Sequence, residues 1–352
     1  PLLQWLKERI WPIQKAMTSE QLYLAALLGL VENLRCGATQ VINHHKVTYT
    51  PKHTDGVLVA AQQVGLDFTL ARSWVDRGTN AEPSEAILAD LERLYARWHQ
   101  PQGLIKVANG PLATWRCSAE TLQTAHALSQ RYNSFTHIHV SESQDEVQTS
   151  LDETGLRPVA WLDSIGVLDQ YGQIVHAVWA DEAEMDLLAV RQALVVHCPV
   201  SNAVLASGVM PLAAMIQRGV RLRLGTDGPA SNDTQDMWET IKAALMFGRV
   251  SSLEATAVSP EQVLGFALSS PALEVGQRAD LIVVDLNHAR AMPVQDVSSA
   301  LTLCTHGSDV DTVIIAGKIL MRDKKVLVVD EEALLEECRQ GILHLRRQAG
   351  LD

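Results

Sequence analysis

The sequence predicts an α/β fold: a distorted (β/α)8 barrel whose first strand is absent, followed by a small partial β-sandwich from the C-terminal part. Short runs of β-branched residues alternate with longer segments of helical period over most of the 352 residues, which is typical of βα units around a parallel sheet. His and Asp residues recur where these runs end. From about residue 271 strand patterns replace this alternation, so the barrel is expected to end there.

Seven strands are predicted from runs rich in β-branched residues. In chain order they are residues 38–45, 66–74, 104–111, 136–142, 172–180, 193–201 and 220–228. Residues 2–35 have helical patterns and no strand pattern, so the strand missing from an eight-unit barrel is the first.

Helices are predicted between the strands. Residues 84–99 and 119–133 carry apolar side chains at every third or fourth position and begin with Ser or Glu, as expected for the outer helices of a barrel. A further helix within 233–248 has one apolar face that would pack on the sheet. We therefore assign residues 1–270 to the barrel.

The C-terminal part is predicted to form two smaller units. Residues 271–329 read as a partial composite β domain, with turns at Ala316-Gly317 and at Arg322-Asp323-Lys324. Residues 330–352 read as a helix, because acidic residues occupy its first turn and arginines its last, an order that the helix dipole favours.

Composition and charge argue against two classes of function, nucleic-acid binding and membrane spanning. A net charge of −12 argues against a nucleic-acid surface, and no apolar run reaches the roughly 18 residues of a membrane span. Five cysteines without a CxxC pair fit a reducing cytoplasm. A small-molecule ligand is expected. Because the chain begins at Pro1 without Met, it is expected to start within its gene.

The most informative strand end is THIHVSE. His137 and His139 alternate onto the same side of a strand, and Glu142 follows at its end. A His and a Glu at this spacing can hold a metal-bound water and carry its proton. Two hydrogen-bonded histidines in a core explain the same pattern, so this segment alone does not decide.

Three further strand ends carry His or Asp. They are His176 in QIVHAVW, His197 in VVHCPVSN before a loop that begins at Pro199, and Asp227 in LGTDGPASND. Each alone is more typical of packing or turn chemistry. Their recurrence in successive βα units favours a site at the carboxyl face, where His and Asp are ligands suited to zinc or iron.

These four motifs resemble, in order, the fifth to eighth strand motifs of the amidohydrolase superfamily. The nearest branch is similar to the cytosine deaminase and triazine hydrolase (chlorohydrolase) group, with a likeness to 8-oxoguanine and guanine deaminase-like aminohydrolases; the group also includes pterin and S-adenosylhomocysteine deaminases. The likeness extends to PLLQWLKERIWP, ENLRCGAT and LEVGQRADLIVVDL, and so covers nearly the whole chain.

The resemblance implies a mononuclear Zn²⁺ cofactor, with Fe²⁺ as the alternative. It implies His139 and Asp227 as metal ligands, with His176 either a ligand or hydrogen-bonded to the hydroxide. Glu142, His176 and Asp227 would be catalytic: Glu142 as the proton shuttle, and Asp227 as acceptor of a proton from the attacking water.

The departures from the family concern the first strand. Family members begin with a strand that ends in His-x-His, and here the only such triplet is His137-Ile138-His139. His44 and His45 are adjacent, so they point to opposite faces and replace it poorly. Either the N-terminal part is missing or the site has decayed. We favour the first because the other motifs are intact, and expect the metal to be bound weakly or lost.

The sequence therefore predicts a metal-dependent hydrolase that deaminates a purine, pterin, pyrimidine or triazine type of heterocycle. One alternative is dechlorination or dealkylamination of a triazine. Another is an impaired barrel that only binds its ligand. The expected partner is a small heterocycle, with neither nucleic acid nor membrane, and a cytoplasmic homo-oligomer, a dimer or larger, is expected.

Overall fold

The computed structural model describes residues 6–268 and 273–351. Its main sheet has seven parallel strands in the order β1-β2-β3-β4-β5-β6-β7, so every strand pairs with its neighbour in sequence. The strands are β1 (Gln40–His45), β2 (Asp67–Trp74), β3 (Ile105–Pro111), β4 (Thr136–Val140), β5 (Gly172–His176), β6 (Leu194–His197) and β7 (Arg221–Leu224). The seven predicted strands are confirmed. The sheet leaves β1 and β7 as unpaired edges within the described residues, which makes it an open half-barrel.

Helices precede β1, connect consecutive strands as parallel pairing requires, and follow β7. A π-helical turn (Leu6–Ile10) leads into the first of them. They are α1 (Trp11–Ala16), α2 (Ser19–Arg35), α3 (Pro51–Val64), α4 (Ser84–Trp98), α5 (Ala119–Arg131), α6 (Gln144–Thr154), α7 (Pro158–Ser164), α8 (Glu182–Val190), α9 (Pro199–Val204), α10 (Leu212–Gln217), α11 (Pro229–Asn232), α12 (Met237–Ser252) and α13 (Pro260–Ala267), with a 3-10 turn at Thr114–Arg116. In the described part of the chain no strand precedes β1, as predicted.

Four strands end earlier than predicted: those predicted over 136–142, 172–180, 193–201 and 220–228 end at Val140, His176, His197 and Leu224. The strand predicted over 172–180 ends at His176, because His176 and Ala177 have φ angles of +74° and +48°, which extended pairing does not allow. The strand predicted over 193–201 ends at His197, and Pro199 begins helix α9 rather than a loop. Proline fits there because its fixed φ suits the first turn of a helix.

The sheet is held by apolar packing between its strands and helices. Phe68 and Leu70 on β2, together with Leu91 and Leu94 on α4, are 1% exposed or less and belong to one continuous core. Arg72 also lies inside, at 2% exposure, and its guanidinium binds Glu82 at 2.6 Å and Asp90 at 2.9 Å. A buried charge is tolerated only when paired in this way.

A second sheet follows the barrel. It is antiparallel, in the order β11-β10-β9-β8, and consists of β8 (Leu281–Val284), β9 (Val310–Ile315), β10 (Lys318–Arg322) and β11 (Lys325–Val326). The region predicted as a β unit also contains helix α14 (Val297–Cys304) and a 3-10 turn (Gly307–Asp309), and helix α15 (Glu331–Gln348) follows it. The predicted boundary near residue 271 lies outside the described residues.

The small sheet packs under the barrel at Gly37. Gly37 has a φ of +85°, and a Cβ there would lie 3.0 Å from Val310, so only glycine fits both the turn and the contact. Among the described residues, no helix combines the length and the apolar character needed to cross a lipid bilayer.

Candidate functional site

Four polar side chains lie together at the carboxyl ends of the strands. The rings of His139 on β4 and His176 on β5 are stacked with centroids 5.4 Å apart. Nε2 of His176 lies 3.7 Å from a carboxylate oxygen of Glu142, which follows β4. Asp227, which follows β7, lies near enough to both histidines for them to lower the pKa of its carboxyl group. The structure thus brings together the four residues that the sequence analysis singled out, while the roles given to them stay predictions.

The backbone that carries these side chains is unusual. Ser141, His176, Ala177 and Asp227 all have positive φ angles, between +48° and +74°. Left-handed backbone costs a side-chain-bearing residue about 1–3 kcal/mol and is found most often at functional sites. The left-handed backbone in the turns after β4, β5 and β7 therefore lowers the stability of the fold, but it directs their side chains toward one point.

One ring nitrogen of His139 is held by the backbone. Its Nδ1 donates to the carbonyl oxygen of Leu112 at 2.6 Å, which leaves Nε2 for the site. Burial lowers the pKa of His139, and His176 lowers it further, whereas Asp227 and Glu142 oppose the shift. A neutral ring with its other nitrogen held by a carbonyl is the usual state of a ligating histidine.

Asp227 is held as a carboxylate. One oxygen accepts from the hydroxyls of Ser201 at 2.6 Å and Ser231 at 3.1 Å, and the other accepts from the backbone N–H of Gly228 at 2.7 Å. Burial raises the pKa of Asp227, but His176, His139 and these hydrogen bonds outweigh it, so the pKa lies below its ordinary value. The group is ionised at neutral pH.

The backbone of Glu142 is hydrogen-bonded to a second carboxylate, that of Glu146, which was not predicted from the sequence. The backbone N–H of Glu142 donates to Glu146 at 2.9 Å, and the other oxygen of Glu146 accepts from the hydroxyl of Thr114 at 3.0 Å. Burial raises the pKa of Glu146 to about 7. A Glu in the first turn of a helix suits the helix dipole wherever it lies, so nothing in the sequence marks this one as buried.

His44 also belongs to this region. Its ring centroid lies 4.5 Å from that of His139, its Nδ1 is 3.1 Å from Nδ1 of His137, and its Nε2 is 3.1 Å from Ser73 Oγ. Burial lowers the pKa of His137 to about 3 and that of His44 well below its ordinary value. His44 replaces the His-x-His ligands poorly by its place in the sequence, yet its ring packs against the cluster.

The side chains of the site are of the types that bind a metal ion, but there are too few of them for a complete site. His139 and Asp227 are side chains that zinc accepts, and a zinc site takes three or four such protein ligands. Within residues 6–268 and 273–351, however, no group of three or more His, Cys, Asp or Glu side chains is placed to hold a metal ion. The described residues therefore supply an incomplete set.

Comparison with known proteins settles the family. The model of the amidohydrolase family matches residues 1–320. This chain is an amidohydrolase. The resemblance seen in the strand motifs is thereby confirmed, and with it the predicted class of enzyme, a hydrolase that acts on C–N bonds.

Several relatives of this amidohydrolase have names that state a reaction. It is 34% identical over 347 residues to a 5-methylthioadenosine/S-adenosylhomocysteine deaminase of Thermoanaerobacter pseudethanolicus, covering 95% of this chain and 79% of that one. It is 33% identical over 355 residues to a 5'-deoxyadenosine deaminase of Methanopyrus kandleri, covering 97% and 81%.

Solved structures give the same fold. An adenosine deaminase from Xanthomonas campestris with bound zinc superposes with a TM-score of 0.90 at 30% identity, over 99% of this chain and 80% of that one. Atrazine chlorohydrolase from Arthrobacter aurescens, complexed with zinc, superposes with a TM-score of 0.89 at 21% identity, over 97% and 82%, a likeness that concerns the fold alone.

Proposed function

We propose that this amidohydrolase removes the amino group of an adenosine-type purine by hydrolysis. The observation that carries the proposal is the contact of Glu142 with His176, at 3.7 Å, beside His139 and the ionised Asp227 at one mouth of the barrel. Relatives at 33% and 34% identity named for deaminating adenosine derivatives support the substrate class.

The chain's own residues would carry the protons of the reaction. A water attacks the ring carbon that bears the amino group, and Glu142 carries one proton of this water to the adjacent ring nitrogen. Asp227 takes the second proton, from the new hydroxyl group, and Glu142 carries that proton to the amine, which departs as ammonia while the ring carbon becomes a carbonyl. His176, buried and fixed between Glu142 and Asn202, orients the attacking oxygen.

We propose a single divalent metal, zinc with iron as the alternative, held by His139 and Asp227 with His176 beside them. When bound, such a metal lowers the pKa of a water toward about 7 and makes hydroxide available at neutral pH. Because the described residues offer an incomplete ligand set, zinc bound by this chain should be released by a mild chelator.

Two other functions are alternatives to purine deamination. The same proton-carrying groups would serve triazine dechlorination or dealkylamination, and a barrel without a complete metal site would bind a heterocycle and release nothing. The deaminase proposal has the better support, because the relatives named as deaminases are above 30% identity and atrazine chlorohydrolase is at 21%.

One panel of assays separates the three. The purified chain, supplied with zinc, is given 5'-deoxyadenosine, adenosine, guanine, 8-oxoguanine, a pterin and atrazine, and ammonia and chloride are measured. We expect ammonia from the adenosine compounds, and its loss in Glu142→Gln. Chloride without ammonia would favour the second function, and purine binding with neither product would favour the third.

We also propose a cytoplasmic homo-oligomer. The five cysteines are free, which suits a reducing compartment. Met246, Val250 and Leu253 form an exposed apolar row along and just beyond α12, at 53%, 69% and 93% exposure, as expected of a surface that a second subunit covers. Sedimentation velocity would show a dimer or larger species; a monomer at micromolar concentration would contradict this.

A further inference from the structure

The backbone of Asp227 is held on both sides by side-chain amides. Asp227 has a φ of +62°, so the peptide groups that flank it lie in an orientation that a residue with a side chain disfavours. On one side, Nδ2 of Asn232, at the end of α11, donates to the carbonyl oxygen of Thr226 at 2.7 Å. On the other, Nε2 of Gln235 donates to the carbonyl oxygen of Asp227 at 3.2 Å. Both flanking peptide groups are therefore fixed.

The orientation of the Gln235 amide follows from its neighbours. Its Nε2 lies 3.2 Å from the carbonyl oxygen of Asp227 and 3.1 Å from that of Thr234. Its Oε1 accepts from the hydroxyl of Thr226 at 3.3 Å. Carbonyl oxygens only accept hydrogen bonds, so an amide turned the other way would place its oxygen against two acceptors. The amide nitrogen of Gln235 is therefore the group that faces Asp227.

The backbone of Gln235 is anchored to helix α2. Its N–H donates to Oε1 of Glu32, one turn before the C-terminal end of that helix, at 2.8 Å. A hydrogen bond to a carboxylate is roughly twice as strong as one between neutral groups. Glu32 and Gln235 are 203 positions apart in the chain, so this contact joins the N-terminal helices to the turn that carries Asp227.

The next residue, Asp236, ties the same segment to the small β unit. It is buried, and one of its carboxylate oxygens accepts from the N–H of Trp238 at 2.9 Å at the start of α12. The other oxygen accepts from the N–H of Gly307 at 2.8 Å. A Cβ on Gly307 would lie 2.6 Å from Sγ of Cys36, the residue after α2, so this turn approaches α2 closely. Residues 235 and 236 are thus fixed to α2 on one side and to the small β unit on the other.

The turn at Asp227 depends on such support. A residue with a side chain keeps a positive φ only where the surrounding structure leaves it no alternative. The peptide group between Asp227 and Gly228 carries the carbonyl that Gln235 holds and also the N–H of Gly228, which donates to Oδ1 of Asp227 at 2.7 Å. Without the amide of Gln235 this peptide group would be free to rotate, and its rotation would release the carboxylate.

We propose that Gln235 is the positioning residue of Asp227. Its amide fixes the peptide group between Asp227 and Gly228, and with it the direction of the carboxylate, while Glu32 fixes Gln235 itself. The inference rests on the proposed function for its catalytic meaning, because a displaced carboxylate no longer reaches the proton that it takes from the new hydroxyl group. The geometry that it assigns to the backbone is tested without any turnover.

The first experiment compares the wild type with Gln235→Met, both without substrate, by crystallography and by amide hydrogen exchange. Methionine fills a similar space but donates no hydrogen bond. In the variant we expect the N–H of Gly228 to lie more than about 3.5 Å from the carboxylate of Asp227. The same N–H should exchange at least about 10-fold faster, because it loses a hydrogen bond to a charged group. An unchanged peptide group and unchanged exchange would overturn the proposal.

The second experiment tests the contribution of Glu32 by rescue. Glu32→Gln keeps an oxygen that accepts from the N–H of Gln235, whereas Glu32→Leu has none. The exchange of the Gly228 amide should be that of the wild type in Glu32→Gln and should rise in Glu32→Leu. Glu239→Leu removes an exposed carboxylate from α12 and serves as the control, with exchange as in the wild type. Equal exchange in Glu32→Gln and Glu32→Leu would refute the role of Glu32.

Kinetics with 5'-deoxyadenosine test the catalytic meaning. Gln235→Met should lower kcat about 10- to 100-fold with little change in KM, the usual effect of losing a residue that orients a functional side chain. A change in KM alone would contradict the assignment. If the wild type deaminates no purine, the proposed function fails, and the crystal structures and exchange rates still decide whether Gln235 positions Asp227.

Discussion

Replacing Glu146 by Gln should remove a predictable share of the pH dependence of the free energy of unfolding. The pKa of Glu146 rises from 4.5 to about 7 on folding, because burial disfavours the carboxylate more than its hydrogen bonds favour it. The folded state therefore holds a proton that the unfolded state has lost between these values, and stability falls as pH rises through this window. This rise in pKa corresponds to about 3 kcal/mol of lost stability in full, most of it lost between pH 5 and pH 8.

Urea denaturation at pH 5 and pH 8 measures this share. The free energy of unfolding of the wild type should fall between the two pH values by about 2–3 kcal/mol more than that of Glu146→Gln. Asp145→Asn serves as the matched control, because Asp145 precedes Glu146 in the first turn of α6 but is exposed. Equal pH dependence in the wild type and Glu146→Gln would refute the reasoning.

Four further substitutions test other parts of the molecule. Glu142→Gln should lower kcat for deamination at least about 100-fold while urea unfolding stays within roughly 0.5 kcal/mol; retained turnover would reject Glu142 as the proton carrier. Arg72→Met removes the partner of Glu82 at 2.6 Å and one of two arginine partners of Asp90, and should cost about 3 kcal/mol in the same measurement. A loss under about 1 kcal/mol would contradict this. Gly110→Ala places a Cβ 2.8 Å from a carbonyl of β2 and should lower the free energy of unfolding by about 1–3 kcal/mol. Gly29 lies inside a helix with open space around it, so Gly29→Ala should raise the free energy of unfolding by about 0.5–1 kcal/mol. Equal effects of the two substitutions would contradict this reasoning.

The parallel sheet could be predicted because its signal is local. Each strand is a short β-branched run followed by a helical segment, and the structure has all seven predicted strands. The ends were harder to predict. The run containing His176 stays apolar as far as Ala180, and nothing in its composition marks the positive φ angles at residues 176 and 177 that stop the strand.

The site could be predicted in part for a related reason. His139, His176 and Asp227 lie at or just after the ends of β4, β5 and β7, and parallel strands bring their carboxyl ends to one edge. Residues that contact the site from behind this edge do not lie at strand ends, so their position in the sequence does not identify them. Asn202 and Glu146 lie within helices, where their types and spacing suit a surface position equally well, and only the packing shows that both are buried against site residues.

A crystal structure with 5'-deoxyadenosine bound to Glu142→Gln tests the account most directly. The account predicts the purine at the carboxyl mouth, its amino group about 3 Å from residue 142 and the attacked carbon on the side of Asp227 and His176. A purine bound elsewhere, or one at this mouth with its amino group turned away from these side chains, would contradict it.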